Sequence, residues 1–150
     1  MDPQKLAQWM RQEHAAVGQL SEALGRRIAA VPVGERTAWW RDLCDRFEHF
    51  RAHLLKHMSL EEKDGYLSMV SDRRPALDPQ VQQLKSEHRQ MTAMMKRIND
   101  DMQSAGIDEE LILQDVCHRI DRLLGYVRHH EECENLMVLS AYTDDIGTKD

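Results

Sequence analysis

The sequence predicts an all-α protein, an up-down-up-down four-helix bundle, and three observations predict it. Apolar residues recur in alternating steps of three and four along four long segments, which is the spacing of one helix face. The chain has only seven glycines and four prolines in 150 residues, and Pro32, Gly34, Gly65, Pro75, Pro79 and Gly106 fall at the joints between those segments, where they break helices. Ala, Leu, Met, Gln, Glu and Arg are abundant and aromatics make up 5%, a balance that favours helix over sheet.

The first helix is expected over about 3–30, because Asp2 is a cap and Pro3 a good first helical residue. Pro32 and Gly34 then make a turn. A second helix is expected over about 35–66, with Gly65 weakening its end. Ser71–Pro79 contains two prolines and reads as a loop. Asp78 and Pro79 form a cap and a first helical position, so the third helix runs over about 79–104 and stops before Gly106. Asp108 caps a fourth helix over about 108–140, where Glu109 and Glu110 suit the positive end of the dipole. The polar tail Thr143–Asp150 is expected to fray. The stripes are Met10, His14, Val17, Ser21, Leu24 and Ile28; Leu43, Phe47, Phe50, Leu54, His57 and Glu61; Val81, Leu84, His88, Met91, Met95, Ile98 and Met102; and Val116, Ile120, Leu123, Val127, His130 and Glu134. This spacing is the seam of an antiparallel bundle, and the short connections favour up-down order.

Composition narrows the function. The length fits a single domain over 1–150 with one buried core. Hydrophobic residues at 41% and charged residues at 31% are an ordinary soluble balance. No apolar run approaches the roughly 20 residues that span a bilayer, and the N-terminus carries no basic-then-apolar leader, so a cytoplasmic location is expected. A net charge of −6 argues against general nucleic-acid binding, which needs clustered Lys and Arg. Cys44, Cys117 and Cys133 are too few and too scattered for a disulfide framework and read as reduced thiols.

Six seam positions break the apolar pattern with good metal ligands: His14, His57, Glu61, His88, His130 and Glu134. A lone seam His is more often a hydrogen-bonded core residue than a ligand, and a metal-free polar core is the plainest alternative. All six together resist that reading, since charge buried without compensation is costly. At about 1.5 Å rise per residue, His14, His57, His88 and His130 fall at roughly 16, 9, 13 and 9 Å along the bundle, one His per helix in one layer. In each His-x-x-x-Glu pair the two residues share a helix face, so each pair offers a nitrogen and a carboxylate. Two carboxylates on facing helices can bridge two cations. Imidazole with carboxylate suits iron, manganese or zinc better than calcium.

The ordered set His, His-x-x-x-Glu, His, His-x-x-x-Glu, with His57-Met-Ser-Leu-Glu61-Glu62 and His130-Glu-Glu-Cys-Glu134, resembles the hemerythrin-like, or His-His-Glu cation-binding, family over about residues 6–140. The resemblance implies a non-haem di-iron centre bridged by Glu61, Glu134 and a solvent oxygen, with His14, His57, His88 and His130 as terminal ligands. Oxygen-carrying members have two His one turn apart on the third helix. Here the positions one turn from His88 are Leu84 and Thr92. For two octahedral irons that leaves about two places open instead of one, unless Glu62, His53, His129 or Tyr66 fills the gap.

Three functions follow as expectations. One is a module that binds or senses O2 or nitric oxide, working through a protein partner or a second copy. Another is an enzyme acting on peroxide or nitric oxide, which the missing fifth His favours. The last is an iron store or iron-responsive interaction module. Other features read more plainly. His49 and His53 lie on a flank, His129 competes less well than His130 for the stripe, and His118 is a surface residue. Met91, Met94, Met95 and Met102 are core filler. Cys133 is a buried inert thiol, and of Trp39 and Trp40 one packs inside while the other marks a partner surface.

Overall fold

A computed structural model describes residues 2–63, 65–104 and 109–147, with the side chains of Pro3 and of 143–147 outside that description. It is an all-α bundle with no strand among the described residues: α1 (Pro3–Ala29), α2 (Thr37–Lys63), α3 (Tyr66–Arg73), one 3-10 turn (Pro75–Leu77), α4 (Asp78–Ser104) and α5 (Glu110–Gly147). The four long helices form a ring in which α1 packs on α2 and α5, and α4 packs on α2 and α5. None of the described helices is long and apolar enough to cross a membrane.

Local chemistry sets the ends. The Asp2 carboxylate accepts from Gln4 N at 3.4 Å at the start of α1, and Arg26 and Arg27 occupy its last turn, where cations suit the dipole. The Trp39 indole donates to the Arg27 carbonyl at 3.0 Å, which ties the top of α2 to the end of α1. Helix α2 starts two residues later than the sequence suggests, because the Glu35 side chain stays outside and accepts from Thr37 N at 2.6 Å. The expected turn at Gly106 and cap at Asp108 lie outside the described residues.

Two expectations need correction. The second helix does not run through Tyr66. At Gly65 the chain folds back so tightly that a Cβ there would sit 2.5 Å from the Glu61 Cα and carbonyl oxygen, and a new helix begins. Ser71–Pro79 is therefore not an open loop. Ser71–Arg73 complete α3, Pro75 opens the 3-10 turn, and Asp78 already belongs to α4. Helix α3 persists because Tyr66, Leu67 and Val70 are fully buried. The fourth long helix likewise continues past Ser140, since Met137, Val138 and Ala141 are buried against Leu6, Met10 and Val81.

The stripe residues fill two apolar clusters. One is built on Val17, Leu24, Leu43, Phe47, Phe50, Met91, Met95, Ile120 and Leu123. The other joins α3 to the start of α1 and the end of α5. Trp39 and Trp40 are both buried, so neither marks a partner surface.

Candidate metal centre

Between the two apolar clusters lies a polar layer, and all six seam residues meet in it. His57, Glu61, His88, His130 and Glu134 are buried, and His14 is half-buried. Their donor atoms form two overlapping groups: Glu61, His88, His130 and Glu134, and His14, His57 and Glu134.

Both carboxylates face two histidine pairs at once. Glu61 Oε1 touches His57 Nε2, while its Oε2 lies 3.7 Å from His88 Nε2. Glu134 Oε1 touches His130 Nε2 and lies 3.9 Å from His88 Nε2, while its Oε2 is 3.6 Å from His14 Nε2. His88 Nε2 and His130 Nε2 face each other at 3.1 Å. This is a crowd of lone pairs converging on one space. His14 Nε2, His57 Nε2, Glu61 Oε1, Glu134 Oε1 and Glu131 Oε2 are buried without a hydrogen-bond partner. Orphaned polar atoms of this kind cost about 1–3 kcal/mol each, and a cation among them would satisfy them together. The donor set therefore fits metal ions.

Outside the layer, carboxylates hold the histidines by their outer nitrogens. Glu13 on α1 reaches His57 Nδ1 on α2 at 3.2 Å. Glu62 on α2 reaches His88 Nδ1 on α4 at 3.1 Å. Glu87 on α4 reaches His130 Nδ1 on α5 at 2.7 Å. Such partners fix the tautomer so that Nε2 points inward with its lone pair. Sequence reasoning missed Glu13 and Glu87. Each stands directly before a seam His, but it serves the next helix round the ring, and an acid on a helix flank looks like ordinary solvated charge.

The four residues considered as gap-fillers separate clearly. Glu62 serves His88 Nδ1, on the outer side. His53 Nε2 lies 3.4 Å from Glu13, also outside. His129 is exposed and turned to Cys133 Sγ at 3.6 Å. Tyr66 alone enters the layer, donating to Glu61 Oε2 at 2.6 Å and touching Glu134 Oε2. Leu84 is buried in the lower cluster, and the Thr92 hydroxyl donates to the His88 carbonyl at 2.7 Å, so neither offers an atom to the site. His49 and His118 are exposed.

Burial and crowding set the protonation of the metal-free layer. Burial pushes the Glu61 carboxyl up, but contact with His57 and hydrogen bonding with Glu134 overcome this and hold it below its ordinary value. Burial and the Glu61 charge push Glu134 well up. The pair thus shares a proton, as two close carboxylates must, and a protonated Glu134 can donate to the Tyr66 oxygen while Tyr66 donates to Glu61. Burial and the neighbouring His57 lower His14 to about 4. Burial, opposed in part by His57, and the Glu61 charge raise Glu131 to about 8. Sequence reasoning missed Glu131, yet a signal existed: Val127, Glu131 and Glu134 also step by four and three. Burial and the charges of Glu87 and Glu132 raise the Cys133 thiol, away from the reactive thiolate.

The family model described as Hemerythrin HHE cation binding domain matches residues 5–142. No curated protein and no solved structure matches the chain at a significant level.

Proposed function

Because the chain belongs to the hemerythrin HHE cation-binding domain family, we propose that it is a non-haem di-iron protein that binds or senses O2 or nitric oxide at a carboxylate-bridged metal pair. One observation carries this reading: Glu61 and Glu134 each present their two oxygens to different histidines, in a layer where His14 Nε2, His57 Nε2, Glu61 Oε1 and Glu134 Oε1 are buried without a hydrogen-bond partner. In this reading His14 and His57 would hold one ion and His88 and His130 the other, with Glu61 and Glu134 supplying carboxylate oxygens to both.

Bound iron would supply Lewis acidity and one-electron redox chemistry towards a diatomic ligand or peroxide. The chain's own contribution is orientation and proton placement. Glu13, Glu62 and Glu87 aim the imidazoles inward. The apolar clusters above and below close the layer at its two ends. Tyr66 carries an O–H at the two bridging carboxylates, where it can give up or hold a proton. That hydroxyl favours a second reading, turnover of peroxide, since breaking an O–O bond calls for a nearby proton donor.

The deciding experiment is metal content per chain by mass spectrometry on iron-loaded protein, followed by optical titration with nitric oxide and O2. About two irons in the wild type and a clear loss in Glu61→Ala with Glu134→Ala support the reading. Little metal in both would overturn it. Peroxide breakdown above that of free iron, lost in Tyr66→Phe, would favour the enzymatic version.

A further inference from the structure

Each helix of the ring carries an acid beside its own seam residue that reaches the next helix. Glu13 serves His57, Glu62 serves His88, and Glu87 serves His130, all at the outer Nδ1. The fourth acid, Glu131 on α5, closes the ring onto His14 of α1 but departs from the rule. Its Oε2 lies 3.5 Å from His14 Nε2, the same nitrogen that faces Glu134 Oε2. The side chain is 13% exposed, and the Oε2 atom is both buried and without a hydrogen-bond partner. The remaining side-chain partner of His14 is Asn135. Three acids therefore act from outside, and the fourth points into the layer.

We infer that Glu131 is a direct ligand of the cation held by His14 and His57, which makes the two metal places unequal. The place beside His14 and His57 then has one carboxylate more than the place beside His88 and His130. The coordination gap left by Leu84 and Thr92 stays on the His88 side, and a small exogenous ligand enters there. This inference rests on the metal-pair reading and adds an asymmetry to it.

The test titrates metal-free protein with Fe2+ under anaerobic conditions and, separately, with Co2+. It compares wild type, Glu131→Gln and Glu132→Gln, the last removing the same charge from an exposed neighbour. Metal per chain, the affinity of each step and the Co2+ visible bands are the readouts. Loss of Glu131 should leave one ion tightly bound and weaken the other at least tenfold, the lower bound seen even for indirect partners of a metal. The Co2+ bands of the weakened step should change in shape and intensity, because a ligand has gone. Glu132→Gln should match wild type. Unchanged affinities and bands in Glu131→Gln would overturn the inference while leaving the metal pair intact. A wild type that holds no more metal than Glu61→Ala with Glu134→Ala would overturn both. Should Glu131→Gln fail to fold, Glu131→Asp keeps the charge but withdraws it by one methylene, and wild-type affinity in that variant would equally overturn the inference.

Discussion

Phe47 and Glu61 lie on one stripe of one helix, and both are 0% exposed. They are nonetheless buried in different senses. Phe47 sits in an apolar cluster with Leu43, Phe50 and Ile120, where folding alone completes every contact. Glu61 sits about four turns further along the helix, with Oε1 touching His57 but lacking any hydrogen-bond partner. Equal burial therefore conceals opposite roles: the upper region stabilises the bundle, while the polar layer gathers buried atoms that the bundle leaves without hydrogen-bond partners. Burial figures alone would rank the two residues together, and satisfaction of the polar atoms separates them.

The largest effect should come from the apolar side. Phe47→Ala should lower unfolding stability by about 3–5 kcal/mol. Urea denaturation should show the same loss with and without iron, because the cavity is remote from the carboxylates. Next is the polar layer. Iron at about a thousand times its dissociation constant should add about 4 kcal/mol to the wild type, and Glu61→Ala with Glu134→Ala should erase that gain. A double variant that still melts higher on adding iron would break the contrast between the regions.

A smaller effect falls at the joint between layer and lower cluster. Gly65→Ala should destabilise the fold by about 1–3 kcal/mol, since the added Cβ meets the Glu61 backbone at 2.5 Å. Thermal melting measures the loss, and the same shift should move Tyr66 off the carboxylates. The last effect is one of pH. Glu131 has a folded value of about 8 against an ordinary 4.5, so the folded state binds its proton more tightly. Its stabilising contribution is complete below about pH 4.5 and lost as pH rises through 8. Metal-free Glu131→Gln should thus melt higher than wild type at pH 8, and the gap should close on acidification. A constant gap across that range would show that Glu131 stays ionised.

The four long helices and all six seam residues were legible in the sequence because a repeating stripe leaves little freedom about which face turns inward. The short helix α3 was not, because Tyr66, Leu67 and Val70 give barely two turns and merge with the pattern of α2. The end of α5 was hidden by polar text after Ser140, although Arg73 stacks on Tyr142 at 4.5 Å and Arg74 donates to the Ser140 carbonyl at 3.0 Å. The outer acids were beyond reach for a different reason. Glu13, Glu62 and Glu87 act across helix boundaries, and only the packing of neighbours tells which surface charge has found an imidazole. At α5 the choice weighed was His130 against His129, so Glu131, four residues after Val127, was passed over, and folding turns both His130 and Glu131 towards the layer.

The passing of each acid to the next helix has a consequence for how the chain chooses its register. Apolar stripes tolerate sliding, since a leucine shifted by one turn, roughly 5.4 Å, meets another leucine. Glu13, Glu62, Glu87 and Glu131 do not tolerate it. A helix displaced by a turn would lose its imidazole on one side and strand a neighbour's on the other, so each of the four helices is indexed against two others. Such polar positions can select one alignment among many of similar apolar content. The polar layer proposed to hold metal thus also indexes each helix of the bundle against its neighbours.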